Sequence, residues 1–121
     1  LSLNKNTINF VNANKLNMMK KSAILINTSR GPIINETDLI QTLKSKRIRS
    51  AGLDVFSNEP LNLDNPLISL SNTVLIPHLS SATIETRSKM SELAANNLLL
   101  VLRGKPPITI VNPEVSPSFL S

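Results

Sequence analysis

The sequence has no cysteine, no tryptophan and no tyrosine, and aromatic residues make up only 2% of its 121 residues. The lack of cysteine excludes disulfides, zinc–thiolate sites and thiol nucleophiles. No apolar run approaches the roughly 20 residues of a membrane-spanning helix, and no signal-peptide pattern stands at the start. We therefore expect a cytoplasmic protein with no membrane partner, whose core consists of leucine, isoleucine, valine and alanine.

Basic residues outnumber acidic ones by 13 to 8, which gives a net charge of +5. Four of the basic residues crowd the end of one predicted helix: Lys44, Lys46, Arg47 and Arg49. Cations are favourable there because the carbonyl end of a helix carries partial negative charge. The aromatic side chains on which nucleic-acid bases stack are also scarce. We therefore expect no nucleic-acid partner.

Apolar runs alternate with helical periodicities along the chain. Continuous apolar segments predict strands at 23–26, 49–56 and 73–76. The first of these is apolar throughout, which is typical of a strand covered on both faces. Helices are predicted to begin after the capping residues Asn12 or Asn14, Asn35 and Thr83. With a loop predicted at 57–70, the order of elements indicates an α/β fold with a three-stranded parallel sheet.

The last predicted helix covers about 84–103 and has the clearest end. Gly104 stands where a glycine commonly ends a helix, and Pro106 and Pro107 follow directly. Residues 105–121 are predicted to form a proline-rich tail.

Polar side chains follow the three predicted strands. Arg30 comes after the run AILINTS, Glu59 after AGLDVFSN, and His78 after TVLIP. Functional groups collect beyond the carboxyl ends of parallel strands, so we expect these residues and Asp54 to lie at one edge of the sheet. A guanidinium is suited to bind a carboxylate with two hydrogen bonds. An imidazole that a carboxylate holds in one tautomer is suited to donate a proton.

Taken alone, each of these side chains has a plain structural interpretation: a turn arginine, a carboxylate at a strand end, a turn glutamate or an ordinary histidine. His78 stands out because it is the only histidine in the chain. Together the residues predict one device for a small anionic carbonyl compound. In it Arg30 binds and polarises the substrate, His78 delivers a proton and Glu59 orients His78.

The sequence lacks the residue patterns of several other kinds of site. One histidine and scattered acids do not make a transition-metal site, so no metal is expected. The sequence contains no G-x-S-x-G elbow of the serine hydrolases. It also contains neither a G-x-G-x-x-G loop nor a phosphate-binding P-loop.

Four stretches carry a family resemblance, in this order: AILINTSRGPIINETDLIQTLKSKRI, SAGLDVFSNEPL, NPLISL and NTVLIPHLSSATIETR. On these the chain resembles the D-isomer-specific 2-hydroxyacid dehydrogenases over nearly all of 1–113. The run SSATIETRSKMSELAANNLLLVLRGKP and the closing VNPEV look most like the glyoxylate reductase/hydroxypyruvate reductase branch.

The resemblance implies an oxidoreductase that passes a hydride between NAD(P)H and a small 2-oxo acid, glyoxylate or hydroxypyruvate. NAD or NADP is the implied cofactor, with NADP favoured by the branch, and the implied assembly is a homodimer. Carried onto this chain, Arg30 corresponds to the substrate-binding arginine, Glu59 to the acid partner and His78 to the proton donor.

Further site residues are implied by the same resemblance. The cofactor-binding set is Thr28, Ser29, Arg30, Asp54, His78 and Ser80. The substrate-binding set is Arg30, His78 and Ser81. Asp54 would hold the nicotinamide end of the cofactor, while Thr28 and the backbone of Ser80–Ser81 would line the pocket. The family commonly has glycine where this chain has Ser80, and the added side chain is expected to crowd the nicotinamide or shift substrate preference.

The implied fold is the C-terminal half of a Rossmann-like, doubly wound parallel sheet. The chain begins with Leu1 and lacks the glycine-rich loop, so we expect it to be a fragment. Residues 1–83 would be the C-terminal part of the NAD(P)-binding domain, and 84–104 a long helix that returns to a substrate domain. We expect the isolated chain to be inactive and marginally stable, with a strand edge and the apolar side of the helix uncovered.

Two other interpretations stay open from the sequence. The chain could be a truncated dehydrogenase fold that serves as a binding or regulatory module without catalysis. It could also be the non-functional product of a broken gene. The presence of Arg30, Glu59 and His78 together argues against a pure binding module, which would not need a proton donor.

Overall fold

The computed structural model of the protein describes residues 1–113, so the end of the predicted tail, 114–121, lies outside the described residues. Its helices and strands, in chain order, are α1 (Ala13–Met18), β1 (Ile24–Asn27), a 3₁₀ helix (Gly31–Ile33), α2 (Glu36–Lys44), β2 (Ser50–Leu53), α3 (Pro66–Ser69), β3 (Thr73–Leu75) and α4 (Ile84–Leu102). The chain divides into two compact units, Leu1–Ser80 and a second that begins at Ser81.

The three strands form one parallel sheet in the order β1-β2-β3, which confirms the predicted α/β class. Asn27 at the end of β1 pairs with Leu53 at the end of β2, and Leu53 pairs in turn with Leu75 at the end of β3. All three strands therefore end at the same level, and the segments that follow them leave the sheet at one edge.

The predicted helix starts are confirmed by their capping bonds. The side-chain oxygen of Asn12 accepts from the Lys15 amide at 3.3 Å, and that of Asn35 accepts from the Asp38 amide at 3.1 Å. Such bonds satisfy amides that have no partner within the helix. A contact that the sequence did not indicate links the first two helices, because a carboxylate oxygen of Asp38 accepts from the Ala13 amide at 2.8 Å.

The segment predicted as a loop at 57–70 contains a short helix, α3. Asn65 caps it by accepting from the Leu67 amide at 2.9 Å, and Pro66 occupies its first position, where the missing N–H of proline costs nothing. The prediction treated Asn65-Pro66 as turn chemistry only. Leu67 is fully buried, and this burial holds the single helical turn in place.

The core lies on one face of the sheet. Buried leucines from α1, α2, β2 and α3 meet there: Leu16, Leu39, Leu43, Leu53 and Leu67. On the opposite face Ile26 is 71% exposed and Val74 is 69% exposed. The prediction that the first strand is covered on both faces is therefore wrong. Successive side chains of a strand point to opposite faces. Leu25, next to Ile26 in β1, therefore packs against the core, while Ile26 points away from it.

The second unit consists of α4 and the segment after it. Thr83 caps the helix by accepting from the Thr86 amide at 3.2 Å. At the other end Gly104 has a φ of 68°, and the Lys105 amide donates to the Leu100 carbonyl at 2.9 Å, as expected for a glycine that ends a helix. No residue of α4 is buried. Within residues 1–113, none of the helices combines the length and apolarity that a bilayer crossing requires.

Gly31 lies where two backbones touch. A Cβ atom at this position would stand 1.9 Å from the carbonyl carbon of Phe56 and 2.5 Å from the amide nitrogen of Ser57. No side chain fits at such distances, and the obstacle is backbone that cannot rotate away. The glycine therefore allows the turn after β1 to pack directly against the segment after β2.

We expect Gly31→Ala to lower the free energy of unfolding by about 1–3 kcal/mol or more, since the added methyl group must push two backbones apart. Urea unfolding followed by circular dichroism measures the change. Gly52→Ala is the matched control, because its Cβ would lie no closer than 3.8 Å to the nearest atom and alanine is the better strand residue. Equal stability of the two variants would contradict the argument.

Candidate active site

Asn27 organises the turn that follows β1. Its side chain is buried, donates to the Arg30 carbonyl at 3.0 Å and accepts from the Ser29 amide at 3.1 Å. Its own carbonyl accepts from the Asp54 amide at 3.0 Å. Asn27 was not among the predicted site residues, although an asparagine at a strand end that opens a Gly/Pro turn was the available signal. One amide side chain thus fixes the backbone on which Arg30 is carried.

Arg30 is exposed at the start of the 3₁₀ helix, and its Nη1 donates to the Ser29 carbonyl at 2.7 Å. Thr28 and Ser29 line a shallow cavity of about 400 Å³ together with Arg30 and the N-terminal residues 1–3. The guanidinium is close enough to Glu59 for its charge to contribute to lowering the pKa of that carboxyl group.

Glu59 and His78 form the centre of the site. Nδ1 of His78 lies 2.8 Å from Oε2 of Glu59, and the other carboxylate oxygen, Oε1, accepts from the Phe56 amide at 3.0 Å. The Phe56 amide and the contact with His78 hold the pKa of Glu59 below its ordinary value, although partial burial opposes them. An ionised Glu59 accepts a hydrogen from Nδ1, which leaves Nε2 as the atom that can exchange a proton with another molecule.

A second cavity of about 400 Å³ adjoins this pair. Its lining is mostly apolar and comprises Phe56, Glu59, Pro60, Leu61, Ile68, Leu75, Ile76, Pro77 and His78. Arg30 does not line it. The structure therefore brings Glu59 and His78 into direct contact, with Arg30 near enough for its charge to act on the Glu59 carboxylate.

Asp54 is buried directly after β2, with only 2% of its surface exposed. Its carboxylate accepts from the Leu79 amide at 2.6 Å and from the Ser80 amide at 2.9 Å. Burial raises the pKa of Asp54, but hydrogen bonds from Ser80 and Leu79 and the charge of His78 outweigh it, so that the pKa lies below the ordinary value. The role implied by the resemblance, contact with the nicotinamide, stays a prediction.

The two predicted serine sites fall in different units. The amide of Ser80 binds Asp54, and its side chain also helps to lower the pKa of that carboxyl group. Ser81 is the first residue of the second unit, and its predicted contact with substrate stays a prediction.

Glu36 is a further residue of the site that was not predicted from the sequence. Its carboxylate accepts from the Asn65 side chain at 2.8 Å and from the Ser57 amide at 3.2 Å. These bonds tie both ends of the segment that carries Glu59 to the start of α2. In the sequence Glu36 is an ordinary acidic residue in the first turn of a helix, so no local signal marked it.

Residues 1–113 contain no cluster of three or more histidine, cysteine, aspartate or glutamate side chains that could hold a metal ion. Over the described part of the chain the site is thus built from one cation, one imidazole and two carboxylates.

The known proteins to which this chain is similar are named as reductases that act on glyoxylate. The chain is 50% identical over 113 residues to a glyoxylate reductase of Thermofilum pendens, covering 93% of this chain and 33% of that protein. It is 48% identical to glyoxylate/hydroxypyruvate reductase B of Citrobacter koseri, covering 96% of this chain and 36% of that protein. The chain spans about a third of the length of the curated relatives it matches.

A solved structure agrees in fold as well. The NADPH-dependent glyoxylate/hydroxypyruvate reductase of Sinorhizobium meliloti, in complex with NADP and malonate, superposes with a TM-score of 0.74 at 39% identity, over 82% of this chain and 31% of that one. The family model for the NAD-binding domain of the D-isomer specific 2-hydroxyacid dehydrogenases matches residues 1–80. The resemblance drawn from the sequence is therefore confirmed, and the chain belongs to the D-isomer specific 2-hydroxyacid dehydrogenase family.

Proposed function

We propose that this chain supplies the substrate-binding and proton-transfer residues of an NAD(P)-dependent reductase that acts on glyoxylate or hydroxypyruvate. The observation that carries the proposal is the 2.8 Å contact between His78 and Glu59 at the carboxyl edge of the sheet. The names of the relatives support the substrate class and the cofactor. We further propose that the whole protein is a cytoplasmic homodimer, as the family resemblance implies.

The roles follow from the charges of the side chains. Glu59, kept ionised by the Phe56 amide, accepts a hydrogen from Nδ1 of His78 and fixes the imidazole in one orientation. Nε2 then donates its proton to the carbonyl oxygen of the 2-oxo acid while C2 gains a hydride, and a hydroxyl group results. Arg30 binds the substrate carboxylate, for which a guanidinium is the suited partner. In the reverse direction His78 removes the hydroxyl proton.

A bound nicotinamide would supply or accept the hydride. The polar residues at the carboxyl edge fit its ring end: Thr28 and Ser29 follow β1, and Asp54 and Ser80 are joined by a hydrogen bond. A pyrophosphate normally rests on a glycine-rich loop at a helix N-terminus, and the sequence has no G-x-G-x-x-G. The chain therefore offers groups for one end of the cofactor only.

We expect the 121-residue chain alone to show no turnover of glyoxylate or hydroxypyruvate with NADPH or NADH, because most of the cofactor's binding surface is not in this sequence. Absorbance at the nicotinamide band, followed at high protein concentration, measures the rate. Turnover above the rate in buffer would contradict this expectation.

The catalytic residues are testable in a chimera in which residues 1–113 replace the matching third of the Thermofilum pendens glyoxylate reductase. We expect His78→Asn to lower kcat by about 10²–10⁴-fold, the range by which a positioned proton donor accelerates a reaction. Arg30→Gln should mainly raise the KM for the 2-oxo acid, since the guanidinium binds the carboxylate.

Glu59→Gln and Asp64→Asn form a matched pair for the same chimera. Both replace a carboxylate by an amide, but Asp64 is exposed in the segment before α3, and the ion pair of His78 is with Glu59. We expect only Glu59→Gln to lower kcat. An active chimera that is indifferent to His78→Asn and Glu59→Gln would overturn the proposed roles and favour a binding module.

A further inference from the structure

We propose that Asp54 is a positioning residue whose carboxylate fastens the turn at 78–80 and so aims the His78 imidazole at Glu59. The importance of this turn for turnover rests on the proposed function. The fastening itself is a property of the chain that can be measured without activity.

The carboxylate of Asp54 is buried. Asp54 lies between Leu53 and Val55, which are themselves 4% and 2% exposed. A charge in such a place is costly unless it is hydrogen-bonded. Within residues 1–113 no lysine or arginine forms an ion pair with Asp54. Its compensation comes from the two amides of Leu79 and Ser80, at 2.6 and 2.9 Å.

Asp54 accepts hydrogen bonds from three consecutive backbone amides, those of residues 78–80. Besides the two bonds to its carboxylate, the backbone carbonyl of Asp54 accepts from the His78 amide at 2.9 Å. The three amides donate to three different oxygens of Asp54, and successive N–H groups can reach an anion in this way where a turn includes a left-handed residue. Here the left-handed residue is His78, with a φ of 54°.

The left-handed conformation of His78 depends on the residues around it. A left-handed backbone is unfavourable for a residue with a Cβ and persists where the surroundings impose it. The Leu79 and Ser80 side chains are exposed, so packing does not hold them. Over the described residues the amides of Leu79 and Ser80 have Asp54 as their hydrogen-bond acceptor. Removing the carboxylate therefore frees the Leu79 and Ser80 amides, while the His78 amide keeps its bonds to the Asp54 and Ile76 carbonyls.

The backbone conformation of His78 sets the direction of its imidazole. The direction of the Cα–Cβ bond of His78 follows from its backbone angles, and in the observed conformation Nδ1 reaches Glu59 at 2.8 Å. If the turn relaxes to the ordinary right-handed region, the imidazole leaves Glu59 and loses its fixed tautomer. Asp54 thus acts on the proton donor through the backbone, in addition to the charge interaction between the two side chains.

This role differs in its consequences from a contact with the nicotinamide. A residue that only binds the cofactor affects the KM for the cofactor and leaves His78 unchanged when no cofactor is present. A residue that positions His78 affects the imidazole in the cofactor-free chain and lowers kcat in the active protein.

The test uses nitrogen-15 NMR of the 121-residue chain, in which His78 gives the only imidazole signals because the chain has no other histidine. We expect the wild type to show one dominant tautomer with a hydrogen-bonded Nδ1. Asp54→Asn, which replaces an acceptor oxygen by an amide group, should give ring signals that match those of Glu59→Gln, while circular dichroism shows a folded chain. Asp64→Asn is the matched control. Wild-type ring signals in folded Asp54→Asn would overturn the proposal.

A second measurement needs no variant and applies even if Asp54→Asn does not fold. Amides of exposed residues exchange quickly with solvent unless they donate to the protein. We expect the Leu79 and Ser80 amides of the wild type to exchange at least ~10-fold more slowly than that of exposed Asn58. Equal exchange rates would overturn the fastening role.

The chimera separates this proposal from the proposed function. In an active chimera we expect Asp54→Asn to lower kcat at least ~10-fold and to change the KM for the cofactor by less than ~3-fold. A raised cofactor KM with unchanged kcat would overturn positioning and leave the reductase function intact. If the chimera is inactive, the proposed function fails, while the ring signals and amide exchange still decide whether Asp54 fastens the turn.

Discussion

The parallel pairing of three short strands is the constraint on which the rest of the structure depends. Because Asn27, Leu53 and Leu75 end their strands at one level, the next segments of the chain emerge side by side. An antiparallel arrangement would send neighbouring segments to opposite edges of the sheet. With the parallel one, a turn, a loop and a second turn that are distant in sequence are brought within hydrogen-bond reach.

Backbone contacts then fix these three segments relative to one another. Gly31 lets the first turn touch the backbone of Phe56, and the Asp54 amide binds the Asn27 carbonyl. The third segment is tied to the second through Asp54, by way of the amides at 78–80. The functional side chains are exposed, but the groups that hold their backbones are buried or are part of the main chain. The backbone of the site is therefore held by hydrogen bonds beneath the surface, while the side chains that would react remain accessible to other molecules.

The helices and strands could largely be predicted from the sequence because their signals are local. Asn12, Asn35 and Thr83 each cap a helix through an amide three residues away, and such a bond depends little on the rest of the chain. The short helix α3 was missed because its stability comes from the burial of Leu67, a contact with distant residues. The one-sided coverage of the sheet was missed for the same reason.

The site shows the same contrast between local and distant signals. The contact of His78 with Glu59 could be predicted from their chemistry and their positions after strands. The roles of Asn27, Glu36 and Asp54 in holding backbone amides could not, since an amide acceptor leaves no pattern in the sequence of the segment it binds. Arg30 follows β1 at the same edge of the sheet, and its contact with a substrate stays a prediction.

The left-handed backbone at His78 also restricts how this family member can change over time. Most side chains are strained in that region, whereas glycine adopts it freely, and asparagine, aspartate and histidine tolerate it better than other residues. Glycine and asparagine could therefore replace the histidine without disturbing the turn, and neither can transfer a proton at neutral pH. The shortest route by which such a fold can abandon catalysis and keep its structure is thus a single substitution at the residue that carries the chemistry.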